Sequence, residues 1–402
     1  MRAHSKRAAA APKAAGTRQL SGQLIMPGDD GGFVQHLVSQ VEQATSLIVI
    51  SSYLIQNGPL IDAVLKKADD GVFVALLTAS SEDLESRTDD ELSAFEQSVL
   101  DEHAALLDRI AGRILVRTSP QYHAKFLAID PASETACGTL MTCNMTEDAM
   151  NGRNIEAAVV LSPADVRSVF SLFLHGFWQT ARHELFAAGL LSPAASAPDM
   201  ALGTVTLPAT YEKVSTLKET VAGVIAAAQE RLDISCWTFL HPDIAKQLCA
   251  RAKEGIAVNL YVHIPETVPP VFDTLAAAGV RIFGHPRMHL KTVTADRRYG
   301  LIMTANISEF GMDTGFEAGI SIDDPSALET LAAEISAQCT QPYIRTTGTF
   351  AGMPGAKTQP AAKEPAEPEQ HEEPSAGKPQ SDVLTSVLNS YLSERRKELK
   401  KE

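Results

Sequence analysis

The chain has 402 residues, 45% of them hydrophobic, which is enough for two packed domains or one duplicated one, and its formal charge is −14. That charge excludes a body that binds polyanions in bulk, so any nucleic-acid contact needs a local basic groove. Five scattered cysteines (Cys137, Cys143, Cys236, Cys249, Cys339), without Cys-x-x-Cys spacing, fit a reducing compartment and suit neither a disulfide framework nor a zinc site.

Residues 1–20 carry Arg2, Lys6, Arg7, Lys13 and Arg18 among alanines and read as a basic disordered tail. In a eukaryotic source the same stretch reads as a mitochondrial transit peptide. Residues 33–44 follow helical spacing through Phe33, Leu37, Val38 and Val41. The apolar run 47–50 predicts a buried parallel strand, 59–67 a helix ended near Gly71, and 72–77 the next strand, which together make a βαβ unit. The order returns at 232–235, 242–253 and 256–262, with Ala-x-x-Gly-hydrophobic at Ala68/Gly71/Val72 and again at Ala252/Gly255/Ile256. A whole lobe is therefore duplicated. Tyr53 and Trp237 follow the matching strands and read equally as pocket walls or as core. The first half is longer, chiefly at 79–100, where Glu82, Asp83, Glu85, Asp89, Asp90, Glu91 and Glu96 form an acidic insert. This insert either covers the cleft or is a solvated helix-loop.

Residues 165–186 predict one amphipathic helix, whose His175 and His183 lack a carboxylate or Cys at ligand spacing and so are not read as metal ligands. His285 is placed at the cleft mouth. Residues 190–207, rich in Ala, Pro and Ser, predict the linker between halves. After about Arg345 the chain turns to Pro, Glu, Ala and Lys, a disordered tether over 346–380. Ser381 and Asp382 then cap an amphipathic helix over 381–402, with Val383, Leu384, Val387, Leu388, Tyr391 and Leu392 on one stripe. Such a stripe docks on a protein partner, a second copy or a lipid surface. No stretch approaches the ~18 apolar residues of a membrane span.

The chemistry concentrates in a pattern that occurs twice. The first copy has His123, Lys125 and Asp130, then Thr142 and Asn144, then Glu156. The second has His289, Lys291 and Asp296, then Thr304 and Asn306, then Glu317. In extended chain, His-x-Lys points both side chains into one space. An imidazole attacks or protonates, and an ammonium neutralises anionic oxygens. Asn144 and Asn306 add amide donors, and Glu156 and Glu317 are placed to accept the other ring N–H and fix the tautomer. Two copies facing each other supply what a phosphodiester needs. The lysines do the work of a cation, so no metal and no cofactor is expected.

The pattern resembles the phospholipase D superfamily, whose members carry two His-x-Lys-x4-Asp motifs, each followed by Gly-Ser-x-Asn. The resemblance covers roughly residues 30–340. Here Met141-Thr142 and Met303-Thr304 stand at the Gly-Ser positions, and Thr keeps the hydroxyl, so Thr142 and Thr304 join the asparagines as phosphate-binding candidates. The first copy has about four extra residues in the hairpin loop that follows Asp130.

The resemblance implies an α/β fold of duplicated lobes, each a mixed sheet flanked by helices, with one active site at their interface. The lobes fall at 21–190 and 208–345, joined by 191–207. The resemblance also implies in-line attack by His123, a covalent phosphohistidine, His289 as general acid and then base, and structural roles in local salt bridges for Asp130 and Asp296. Symmetry alone does not choose between the histidines. The expected substrate is a phospholipid headgroup, hydrolysed or transferred. The alternatives are a metal-independent nuclease or repair phosphodiesterase, and a non-catalytic scaffold. Without a membrane span, a membrane-anchored cardiolipin synthase is not expected. The expected location is cytoplasmic or peripheral at a membrane, or the mitochondrial matrix if the tail is a transit peptide.

Overall fold

The computed structural model describes residues 16–20, 23–80, 94–197, 201–263 and 268–339. Most of the basic tail, acidic residues 82–91, the Pro/Glu/Ala tether and the 381–402 helix lie outside them.

Two mixed sheets repeat one strand order. The ten-stranded sheet carries the first motif and the eight-stranded sheet the second. In the first, Leu47–Ser51 pairs in parallel with Phe73–Thr78 across the helix Pro59–Asp69, and antiparallel with Phe126–Ile129. In the second, Arg231–Cys236 pairs in parallel with Ala257–Val262 across the helix Pro242–Lys253, and antiparallel with Thr292–Ala295. The duplication is therefore structural as well as sequential.

The run 47–50 is apolar throughout because both faces of its sheet are covered. Leu47 and Val49 join a central core, whereas Ile48 and Ile50 pack under the outer helices. The central core also takes Val166, Phe170 and Phe173 from the helix Pro163–His175, Leu328, Leu331 and Ile335 from Pro325–Gln338, and Ile302, Phe316 and Ile320 from the second sheet. One apolar cluster thus draws on both halves and fixes one against the other.

Several sequence expectations change. The helix expected over 165–186 ends at His175, passes through a π-turn at Gly176–Thr180 and becomes the strand His183–Ala187, next to last in the sheet. The Tyr122 ring packs so close to Gly176 that a Cβ there would sit 2.2 Å from it. Beyond the turn, Arg182 donates to the Thr118 carbonyl, and the fully buried Arg117 and Glu184 pair at 2.9 Å, drawing the chain onto the sheet. Leu190–Pro193, expected within the linker, pairs with that strand and forms the sheet edge, and Arg18–Gln19, expected in the tail, pairs beside Leu24–Met26.

Among the described residues Asp130 and Asp296 make no salt bridge of the kind expected. Asp130 accepts from the N–H groups of Thr45, Ser46 and Leu47 and from two hydroxyls at 2.7–2.8 Å. Asp296 accepts from the N–H groups of Gln229, Glu230 and Arg231. Both residues have positive φ, 46° and 50°, which Asp tolerates. Each tethers the end of its motif strand to the start of the neighbouring one. Asp130→Ala should destabilise the fold by about 3 kcal/mol in urea denaturation, because it strands donors that are hard to solvate.

Candidate active site

His123 and Lys125 lie in extended chain just before Phe126–Ile129, and His289 and Lys291 lie just before Thr292–Ala295. Each histidine is then pinned to the opposite half. His123 N–H donates to the Phe316 carbonyl at 3.0 Å, and Phe316 N–H donates to Gln121 at 2.9 Å. The counterpart joins Ile155 to Arg287 at 2.7 Å and His289 to Ile155 at 3.3 Å. Phe316 and Ile155 immediately precede the two glutamates.

That backbone crossing decides the side-chain pairing. His123 Nδ1 meets Glu317 Oε1 at 2.7 Å, and His289 Nδ1 meets Glu156 Oε1 at 2.6 Å. Each imidazole therefore takes its carboxylate from the other half. Burial raises both carboxyls, but His289, Lys291 and Thr142 around Glu156 outweigh it, as do His123, Lys125 and Thr304 around Glu317. Both glutamates end below their ordinary value and are ionised. An ionised carboxylate only accepts, so each Nδ1 carries the proton and each Nε2 is left for chemistry.

The threonines do something other than expected. Thr142 and Thr304 are fully buried, and their hydroxyls donate to the second oxygen of Glu156 and Glu317 respectively. The Thr142 and Thr304 hydroxyl oxygens in turn accept from the N–H of Ala157 and Ala318 at 3.0 Å. These hydroxyls are committed to orienting the glutamates and are corrected from phosphate contacts to carboxylate holders. The asparagine amide oxygens are committed to loops: Asn144 accepts from Leu54 N–H at 3.4 Å and Asn306 from Thr238 N–H at 3.3 Å. The NH₂ is then the end that can donate.

Lys125 and Lys291 are fully buried. Lys125 donates to the His123 carbonyl at 2.5 Å, and Lys291 to the His289 carbonyl at 2.7 Å. Lys291 Nζ is 3.2 and 3.3 Å from the two ring nitrogens of His289. Being nearly equidistant, it acts as a charge beside the ring rather than an in-line donor. Burial pulls both ammonium groups below their ordinary value, Lys125 furthest, against the two glutamates. Burial also pushes His123 down to about 4, with Glu317 opposing and Lys125 and Lys291 reinforcing, and His289 is lowered by the same balance.

Aromatic rings wall the site. Tyr53 lies 5.2 Å from the His123 ring, Phe310 approaches it edge-on at 6.3 Å, and Trp237 stands edge-on to His289 at 5.3 Å. Trp237 is 38% exposed, so it is a wall rather than core. Phe310 and His263, which stacks on Trp237, were not singled out as site residues from the sequence. His285 accepts from Arg287 N–H, two residues before His289.

A family model described as "Cardiolipin synthase, PLD-like domain" matches residues 37–178 and 221–339, one motif in each segment and well over half the chain. The chain belongs to the phospholipase D superfamily. Among solved members and neighbours, the phosphatidylserine synthase of Haemophilus influenzae Rd KW20 aligns at 13% identity over 82% of this chain and 88% of that one, with a TM-score of 0.53. Nuc, a phospholipase D family member from Salmonella typhimurium, aligns at 17% identity over 34% of this chain and 95% of its own (TM-score 0.31). The polyphosphate kinase of Porphyromonas gingivalis aligns at 13% over 90% and 51% (TM-score 0.49). No curated protein matches the chain. The phospholipase D superfamily acts on phosphodiesters. Among the described residues no helix is long and apolar enough to cross a membrane.

The crossed pairing has a direct test. Glu317→Gln should perturb the ring nitrogen resonances of His123 and spare those of His289, and Glu156→Gln should do the reverse. Effects confined to the mutated half would contradict the geometry.

Proposed function

We propose that this chain cleaves a phosphodiester in two displacements, with His123 as nucleophile and His289 as the acid–base group. His123 Nε2 attacks phosphorus in line, forming an N–P bond as the P–O bond to the leaving group breaks. His289 Nε2–H gives that oxygen its proton. His289, now neutral, takes a proton from water or another alcohol, whose oxygen displaces His123 and releases the phosphoryl product. Lys125, Lys291, Asn144 and Asn306 hold the non-bridging oxygens as charge builds on them. Arrival of the phosphate restores the proton affinity that burial takes from the lysines. One observation carries the reading: two imidazoles, each on a carboxylate from the opposite half, around two buried lysines.

The favoured substrate is a phospholipid headgroup. Trp237, edge-on to His289, is 38% exposed, and Leu240, three residues on, is 50% exposed, an apolar pair that suits a lipid. The family model's description points the same way. Hydrolysis is the favoured outcome over transfer to an alcohol.

His123→Ala should abolish turnover while leaving the unfolding transition in place, and EDTA should leave the wild type active. Incubation with DNA, RNA and phosphatidylcholine in EDTA, beside that variant, tests the substrate. Release of choline supports the reading, cleavage of nucleic acid alone replaces it with a nuclease, and complete loss in EDTA overturns the metal-independent chemistry. The plot of kcat/KM against pH should be bell-shaped. It rises through about 4 as His123 loses its proton and falls as His289 loses its own, below the ordinary imidazole value of 6.5.

A further inference from the structure

The duplicated site is nearly symmetric in its His, Lys, Asn, Thr and Glu, yet the two imidazoles must do different jobs. The two halves differ beside the central parallel strands. Phe73–Thr78 is followed by Ala79, whose carbonyl is bonded outward to His103 at 3.0 Å. Ala257–Val262 is followed at the matching place by His263. The His263 ring lies flat on Trp237, with centroids 3.7 Å apart and planes 10° apart, and Trp237 is edge-on to His289 with planes at 73°.

We propose that His263, acting through Trp237, is a positioning residue for His289, and that this stack makes the two imidazoles of the site unequal. The proposal rests on His289 being the acid–base group. Three features support it. The stack fixes the indole, and the indole with Glu156 fixes the plane of the His289 ring from two directions. In the first half, Tyr53 is only tilted against His123, at 59°. The charges facing His263 also favour its neutral form. His289 and His285 lie against it from one segment, with Arg287 beside His285 and Lys291 beside His289, and the compensating Glu156 is bonded to His289. Finally, His263 bonds the Pro286 backbone, while its Nδ1 is buried without a partner among the described residues. A second proton there would have no acceptor among the described residues, so the cluster places its charge on His289. Burial and the neighbouring histidines lower His263 accordingly.

Two variants separate ring from charge. His263→Phe keeps a flat ring on Trp237, and His263→Gln keeps a donor for Pro286 without the ring. His263→Gln should lower kcat about tenfold with KM within about twofold, since orientation rather than binding is lost. His263→Phe should keep kcat and raise the pH at which His289 titrates by roughly a few tenths of a unit, because the minor form in which His263 takes the shared proton is gone. Ring NMR reads that titration without turnover, so an inactive wild type faults the proposed reaction and leaves this pairing to be judged by the spectra. Trp237 emission, taken as the difference from Trp237→Phe, should be quenched on acidification more strongly in the wild type than in either His263 variant, both of which retain only the His289 contact. Wild-type kcat and pH profile in His263→Gln, an unmoved His289 titration in His263→Phe, or Trp237 emission indifferent to His263 would each overturn the proposal.

Discussion

Two imidazole–carboxylate pairs cross between the halves, and the rest of the structure depends on them. Lys125, Lys291, Glu156 and Glu317 are almost wholly removed from water. Burying such charges is tolerable only when opposite signs lie together and their remaining hydrogen bonds are met, and breaking a set of this kind costs about 3–5 kcal/mol. Thr142 and Thr304 saturate the carboxylate oxygens that the imidazoles leave over. The shared apolar core and the backbone bridges at Tyr122/Phe316 and Ile155/Met288 hold the halves at the spacing the pairs require.

The same burial prepares the chemistry. A neutral His123 with its proton fixed on Nδ1 presents a lone pair at Nε2. On the proposed reaction, a cluster of two lysines and two glutamates in the dry interior takes in one more anion together with one proton, a phosphodiester and an imidazolium. The surroundings then separate two groups that the repeat made alike. Tyr53 and Phe310 face one imidazole, and the Trp237–His263 stack faces the other.

Much of this was legible in the sequence because it is local. His-x-Lys points one way in extended chain, the run 47–50 is apolar because both its faces are covered, and the recurrence of the βαβ unit announces the duplication. What escaped is set by distance. Glu317 is 194 positions from the histidine it holds and Glu156 is 133 from its own, so nothing local says which serves which. The Thr hydroxyls were assigned to phosphate because their partner glutamates approach only when neighbouring strands pair. The helix expected through Phe186 failed at Gly176, since short apolar runs fit a helix or a strand equally well and the buried Arg117–Glu184 pair decides. His263 has no counterpart in the first half, so a search built on the repeat passes over it.

In the proposed reaction one phosphorus is gripped from both halves. A crystal structure with bound vanadate tests it most directly. The vanadate should form a trigonal bipyramid with His123 Nε2 at one apex, an oxygen facing His289 Nε2 at the other, and the equatorial oxygens on Lys125, Lys291, Asn144 and Asn306. Vanadate held by residues of a single half, or His123 and Glu317 found apart, would contradict it.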